Sequence, residues 1–189
     1  MAEAENQAKR RNRVQLVAIV AVALISLGGS YALFYAARSG DLWGTTNRGA
    51  FVSPPVTVME LDIRDVDGQP LAEGETWWLW VVSDGPCDPA CDAALHQLRQ
   101  LHVLLNKDAS RVRRALVRAD GEGVQASLDE ALRTNYPQLQ LLTGDLTRVA
   151  PGVYIVDPIG NLVFHYDIVD AGKPVLEDLK KLLKVSQIG

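Results

Sequence analysis

The sequence predicts an α/β domain, a mixed sheet with flanking helices, behind a single N-terminal transmembrane helix. Three observations support this fold class. Residues 14–37 carry no charged side chain, residues 76–83 form a short and almost continuously apolar run, and segments with strand and helix periodicity alternate after that run. The chain of 189 residues has room for one such domain plus accessory segments.

The N-terminus has the pattern of a membrane anchor. Residues 1–13 are polar and end in a basic cluster, and the apolar stretch 14–37 would span ~36 Å as a helix, enough for a hydrocarbon core of ~30 Å. Because the apolar core of a cleaved signal peptide has only ~7–15 residues, we expect an uncleaved anchor. The basic residues precede the span, so the N-terminus is expected in the cytoplasm. In a bacterium this makes a single-pass inner-membrane protein whose C-terminal domain lies in the periplasm.

The chain is predicted to divide into a cytoplasmic tail (1–13), an anchor (14–37), a linker (38–55) and a folded domain (56–189). The linker is rich in Gly, Thr, Asn, Ser and Pro, which is typical of an extended tether. Val56 to Ile63 alternates apolar and polar residues, although Met59 interrupts the alternation, and Asp67-Gly68 predicts a turn.

The body of the domain is predicted from its apolar pattern. Thr76 to Ser83 reads as a strand buried on both faces, followed by a helix with Asp88 as its cap and Pro89 at its first position. The later elements are predicted as strands over 112–117, 139–142, 153–156 and 162–166, and as helices over 128–136 and 174–185. The tryptophans of the first strand are expected in the core, with Trp77 or Trp80 facing a partner as the alternative. The arginines 111, 113, 114 and 118 are expected on a solvated face.

Both cysteines of the chain, Cys87 and Cys91, fall where the predicted helix begins. Backbone N–H groups there stabilise a thiolate, and a spacing of four places the Cα atoms ~6 Å apart, within reach of a disulfide if the first turn unwinds slightly. Such a pair can exchange electrons with another protein, and when reduced it offers soft ligands for Cu(I). A structural disulfide, or two buried small apolar residues, is the alternative.

This order of elements resembles the thioredoxin fold. The shared features are cysteines at the start of the helix after the first central strand, and a proline entering the later hairpin within Ala150-Pro151-Gly152-Val153. The resemblance implies that Pro151 is a cis proline facing Cys87 and Cys91, so these three residues are the expected catalytic set.

Within that fold the chain resembles the Sco proteins, which deliver copper to cytochrome c oxidase. The shared motifs are Cys87-x-x-x-Cys91 and Tyr154-Ile155-Val156-Asp157-Pro158-Ile159-Gly160. It is more similar still to small membrane-anchored proteins of proteobacterial oxidase-assembly operons, on Thr46-Asn47-Arg48-Gly49, Pro54-Pro55 and the ending from Lys180 to Gly189.

The resemblance implies Cys87 and Cys91 as Cu(I) ligands, and a cytochrome c oxidase subunit or another oxidase assembly protein as the partner. One feature departs from the Sco pattern. That family uses a histidine just before the Asp-Pro turn, whereas residues 142–152 contain none, and His165 is the only histidine on the same local segment. The three-ligand copper site is therefore not expected to be complete.

Three functions remain open from the sequence: an oxidase assembly factor that handles copper or copper-site thiols, a broader membrane-tethered thiol–disulfide oxidoreductase, and a redox-inert interaction module. The net charge of −4 gives no electrostatic case for nucleic acid binding. No phosphate loop, metalloprotease helix or serine nucleophile motif is present.

Overall fold

The computed structural model describes residues 2–38, 46–71, 74, 76–119 and 126–186. They form two compact units, Met1–Thr46 and Asn47–Gly189. The first unit contains one helix, α1 (Ala2–Arg38), within which Arg10–Ala37 is long and apolar enough to span a membrane, with a mean hydropathy of 2.2. Of the predicted linker, residues 39–45 lie outside the described part.

In its described residues, the second unit is a seven-stranded mixed sheet with three helices. Its strands are β1 (Ala50–Phe51), β2 (Arg64–Asp65), β3 (Trp77–Ser83), β4 (Val112–Ala119), β5 (Leu139–Gly144), β6 (Gly152–Val156) and β7 (Leu162–Tyr166). Its helices are α2 (Pro89–Leu104), α3 (Ala126–Asn135) and α4 (Lys173–Val185), with 3-10 turns at Met59–Leu61, Asn106–Arg111 and Ile168–Asp170. The strand order is β1-β7-β6-β3-β4-β5-β2. The strands β3, β4 and β5 are parallel, and every other pairing is antiparallel. The predicted mixed sheet with flanking helices is confirmed.

The central strand β3 divides two hydrophobic cores. Its seven residues are all buried, as the continuous apolar run predicted. One core, the helix-side core, joins Trp77, Leu79 and Val81 to α2, α3 and α4. The other joins Trp78, Trp80 and Val82 to the segment 56–63 on the opposite face of the sheet. All three tryptophans of β3 are at most 7% exposed, so neither Trp77 nor Trp80 faces a partner.

The segment Val56–Ile63 does not form a strand, although its residues alternate between apolar and polar. A 3-10 turn at Met59–Leu61 interrupts it, and Asp62 adopts the left-handed conformation with a φ of 44°. The alternation instead reflects burial, because the apolar side chains at both ends of the segment pack against the face of the sheet that carries Trp78 and Trp80. The backbone of the segment forms a hydrogen bond to the turn between β6 and β7. The N–H of Val58 donates to the Gly160 carbonyl at 2.8 Å.

The expected tether over 38–55 ends earlier than the sequence indicated. Ala50 and Phe51 pair with β7, and the preceding residues are held by a buried carboxylate. The side chain of Asp178 on α4 is 1% exposed and accepts hydrogen bonds from the backbone N–H groups of Arg48 and Gly49. It also accepts from the Tyr166 hydroxyl at 3.0 Å and from the Lys181 ammonium at 3.2 Å. We call this arrangement the linker clasp, and it fixes the point at which the chain enters the domain.

Glycine is required in the linker clasp because of close packing. A Cβ on Gly49 would lie 2.5 to 2.8 Å from atoms of the Tyr166 ring, closer than real side chains approach. Any larger residue would separate the backbone of Gly49 from the ring and from Asp178. This explains why a glycine stands in the Thr46-Asn47-Arg48-Gly49 motif.

The arginines near β4 are not one solvated face. Arg114 and Arg118 are only 5% and 6% exposed, and the Arg118 guanidinium pairs with both carboxylate oxygens of Asp129 at 2.8 and 3.0 Å. Arg111 donates to the carbonyls of Leu183 and Ser186. Arg113 alone is exposed, and its guanidinium lies 5.8 Å from the centre of a Trp78 ring. The prediction was wrong because alternate side chains of β4 point into the helix-side core. There Arg114 and Arg118 form hydrogen bonds to residues that are distant in sequence, Pro137 and Asp129.

Candidate functional site

The cysteine pair lies where β3 passes into α2, at the carboxyl end of the central strand. The Ser83 hydroxyl donates to the carbonyl of Gly85 at 3.0 Å and shapes the turn. Asp88 caps the helix, because its carboxylate accepts the N–H of Cys91 at 2.8 Å, and Pro89 stands in the first turn. The predicted cap therefore holds, and it orients the first turn of the helix on which Cys91 sits.

Cys87 and Cys91 are joined in a disulfide, with their Cα atoms 5.2 Å apart. Their surroundings differ. Cys91 is 1% exposed and belongs to the helix-side core, whereas Cys87 is partly exposed and packs against the edge of that core. Only the Cys87 end of the bond is open to an incoming thiolate.

Pro151 does not have the cis peptide bond that the resemblance implies. Among the described residues the cis bond is Ser53–Pro54, and the bond before Pro151 is trans. The chain turns into β6 through Gly152 instead, whose φ of 151° favours glycine. Pro151 is exposed and lines a groove shared with Pro86 and Ala90, which flank Cys87 in sequence. The structure thus brings Pro151 to the cysteine side of the domain, although with a different backbone geometry.

The histidines do not complete a ligand set. The His165 ring packs on Tyr154 with the centroids 4.7 Å apart, and Tyr154 belongs to the core on the face of the sheet opposite Cys91. The Nε2 of His102 contacts the carbonyls of Ala109 and Val112, each at 3.0 Å. His96 is exposed on α2. In the part of the chain that the structure describes, no three His, Cys, Asp or Glu side chains cluster as metal ligands.

The first turn of α2 is held by Tyr136, the residue after α3, through a contact that the sequence did not reveal. The Tyr136 hydroxyl donates to the Asp92 carboxylate at 2.7 Å and to the Asp92 carbonyl at 3.2 Å. Burial, together with the Asp92 carboxylate, raises the pKa of Tyr136 to about 12, so the phenol remains a donor even near pH 10, where an unperturbed tyrosine is half ionised. The two residues lie 44 positions apart, and no local pattern links them.

The arrangement fits thiol–disulfide exchange and a two-sulfur donor set. Disulfide exchange needs an accessible sulfur and a leaving thiolate, which Cys87 and Cys91 supply. Reduced, the two thiolates suit Cu(I), a soft ion that accepts low coordination. A higher-coordinate site with nitrogen ligands has no third side chain among the described residues.

The chain is similar to proteins of known structure. Apo Sco1 from Thermus thermophilus is 18% identical with a TM-score of 0.56, over 74% of this chain and 98% of that one. BsSco, described as a member of the Sco family of cytochrome c oxidase assembly proteins with a disulfide switch, is 17% identical with a TM-score of 0.50, over 75% and 98% of the two chains. Copper-bound Sco1 from yeast is 14% identical with a TM-score of 0.50, over 76% and 96%. At these identities the likeness establishes a shared fold.

No curated protein sequence matches the chain significantly. A family model does, and it is described as the transmembrane-like, thioredoxin-like, C-terminal domain. The match covers residues 77–186, which run from the first residue of β3 to the residue after α4 and include both cysteines. The chain therefore belongs to the transmembrane-like, thioredoxin-like family and has the thioredoxin-like fold of the Sco proteins.

Proposed function

We propose that this protein is a membrane-anchored assembly factor for a haem–copper oxidase and acts on copper or on copper-site thiols through Cys87 and Cys91. One observation carries the proposal: a disulfide at the start of α2 has one end buried and the other end open. The fold shared with proteins described as cytochrome c oxidase assembly proteins supports the choice of oxidase. The partner is an oxidase subunit or another assembly protein.

The exchange step conserves atoms and electrons. A thiolate of a partner dithiol attacks Sγ of Cys87, the Cys87–Cys91 bond breaks, and Cys91 leaves as a thiolate. The second partner thiol, after losing its proton, attacks the mixed disulfide and releases Cys87. The partner ends as a disulfide and this protein as a dithiol, with two electrons transferred. The reverse sequence oxidises the partner.

Copper enters as cargo of the reduced pair. The two thiolates would hold Cu(I) and pass it to an acceptor with stronger or more numerous ligands. In the disulfide neither sulfur is a thiolate, so copper loading requires prior reduction. The redox state thereby decides which of the two activities the pair can perform.

The proposed topology places this chemistry outside the cytoplasm. The helix Arg10–Ala37 supplies the anchor, and the basic residues before it favour a cytoplasmic N-terminus. The domain then faces the periplasm of a bacterium, where a disulfide persists. The sequence-based division into tail 1–13, anchor 14–37, linker and domain is part of this proposal, with the domain beginning at Asn47 rather than at Val56.

A chain carrying both Cys87→Ser and Cys91→Ser should fail to restore oxidase activity to a deletion strain, because neither exchange nor Cu(I) binding survives without the sulfurs. The measurement is oxidase activity in membranes, with chain abundance determined by immunoblot. Met59→Ser, which also replaces a sulfur-containing side chain but at a position that is 79% exposed, is the matched control and should rescue fully. Full rescue by the double-serine chain would instead establish a redox-inert role.

His165→Ala should leave the Cu(I) affinity of the reduced protein unchanged, since the ring packs on Tyr154, away from Cys91. The test is a competition titration of the full chain in detergent against a chromophoric Cu(I) chelator. Cys91→Ser is the comparison and should weaken binding by at least about tenfold, because a soft thiolate ligand is lost. A tenfold loss of Cu(I) affinity in His165→Ala would instead show that this histidine is a copper ligand.

A second candidate is a thiol–disulfide oxidoreductase that does not handle copper. The available metal ligands favour this function, because the described residues offer two cysteines without a third side chain that could bind copper. The titration separates the two functions. Cu(I) that remains bound in competition with the chelator supports copper handling, and dithiol–disulfide cycling without such binding supports the second candidate.

A further inference from the structure

Arg114 is a buried arginine for which the described residues supply no countercharge. It lies on β4, is 5% exposed, and its side chain is on the face of the sheet that α2 and α3 cover. Its Nη2 donates to the carbonyl of Pro137 at 3.2 Å, whereas its Nη1 has no hydrogen-bond partner in the described part of the chain. No ion pair joins Arg114 to any carboxylate among the described residues.

Arg118 is a buried arginine on the same strand that does have a charged hydrogen-bond partner. It lies four residues further along β4, on the same face, and is equally buried. The chain supplies it with Asp129, which accepts two hydrogen bonds. Arg114 instead has Arg99 as its charged neighbour, and burial together with the charge of Arg99 lowers its pKa. A buried charge without a partner is unfavourable, so the position favours binding of an anion.

Arg114 also lines a cleft that is open to solvent. The cleft lies between the start of β4 and the start of β5, and residues from both borders carry hydrogen-bond donors. These include Ser110 on one border and Gln138 on the other. No Asp or Glu is among the described residues that line it, so the donors and the charge both select against cations. The cleft adjoins the amino ends of the parallel strands, whereas Cys87 follows the carboxyl end of β3, so it is separate from the cysteine site.

We propose that this cleft binds a phosphate-type oxyanion, with Arg114 as its principal ligand. Guanidinium groups bind such oxyanions through paired, charge-assisted hydrogen bonds, and the Nη1 of Arg114, which is buried beside the cleft, has no acceptor among the described residues. A doubly charged tetrahedral oxyanion supplies the countercharge for Arg114 and has further oxygens that can accept hydrogen bonds from Ser110 and Gln138. The phosphate can be free or part of a lipid headgroup.

The test uses the full chain, ¹⁵N-labelled, in micelles of a neutral detergent. Sodium phosphate is titrated at constant ionic strength against sodium chloride, and the backbone amide signals of Gln138 and Gln140 are followed by NMR. Saturable shifts are expected with phosphate and not with chloride. A parallel titration uses dihexanoyl phosphatidylglycerol below its micelle concentration. Whichever ligand saturates at lower concentration identifies the source of the phosphate.

Three variants make the result specific. Arg114→Met should weaken binding at least tenfold, whereas Arg148→Gln removes the same charge at an exposed, remote position and should leave it unchanged. Ser110→Glu adds a carboxylate at the exposed border without disturbing the core, and should weaken binding relative to Ser110→Gln. Absence of saturation with both ligands, or equal affinity in wild type, Arg114→Met and Ser110→Glu, would overturn the proposal.

Discussion

Replacing Asp178 with alanine should lower the free energy of unfolding of the domain by about 2–6 kcal/mol, because it leaves two buried donors unsatisfied at a cost of about 1–3 kcal/mol each. The Asp178 carboxylate is the common acceptor of the linker clasp. Its loss leaves the buried N–H of Gly49 and the hydroxyl of Tyr166 without a hydrogen-bond acceptor. The Lys181 ammonium contributes little to this figure, because its side chain is 51% exposed and water screens the pair. The measurement is chemical denaturation of the full chain in detergent, followed by tryptophan fluorescence.

Glu177→Ala is the matched control. Glu177 is adjacent on α4 and also contacts Arg48, but through an ion pair between side chains that are 64% and 35% exposed. Such surface pairs are worth about 0–1 kcal/mol, so this variant should remain close to wild type. Equal effects of the two substitutions would show that the linker clasp does not stabilise the domain.

The contribution of Asp178 should also depend on pH. Burial alone would raise the pKa of Asp178, but the hydrogen bonds from Gly49, Arg48, Lys181 and Tyr166 outweigh it and lower the pKa below its usual value. A carboxyl whose pKa is lower in the folded state stabilises the fold above its unfolded pKa of about 4, and that stabilisation is lost as the pH falls through the folded pKa. The difference in stability between wild type and Asp178→Ala should therefore narrow below about pH 4.

The parts of the site that the sequence predicted are those fixed by local chemistry. A continuous apolar run ends at Ser83, Asp88 and Pro89 begin the helix, and the cysteines fall in its first turn. Each signal spans only a few residues and does not depend on tertiary partners. The disulfide geometry follows from the same short segment.

The residues that the sequence missed depend on partners far along the chain. Asp178 forms a hydrogen bond to Gly49, which is 129 positions away in sequence, and Tyr136 forms one to Asp92, which is 44 positions away. The burial of Arg114 and Arg118 could not be read from an arginine-rich strand, because it depends on which face of β4 the helices cover. The trans bond at Pro151 likewise reflects this protein's own turn into β6, which the family resemblance did not encode.

The two cysteines should differ sharply in reactivity once each is left alone. In Cys91→Ala the remaining thiol is Cys87, which is partly exposed, and in Cys87→Ala it is Cys91, which is 1% exposed within the helix-side core. If Cys91 reacts only after a local opening that costs about 3 kcal/mol, Cys87 should be alkylated on the order of 100-fold faster. Mass spectrometry of the reduced, full-length variants after timed exposure to iodoacetamide measures the two rates.

The same asymmetry predicts which variant captures a partner. Cys91→Ala should accumulate a mixed disulfide with an oxidised partner or a model disulfide, because Cys87 attacks and no second thiol resolves the product. Cys87→Ala should accumulate far less, since the buried thiol of Cys91 cannot reach a partner sulfur. In denaturant both variants should react at similar rates, which makes the fold responsible for any difference. Equal trapping by the two folded variants would show that both sulfurs are reachable, and the assignment of Cys87 as the attacked atom would then be wrong.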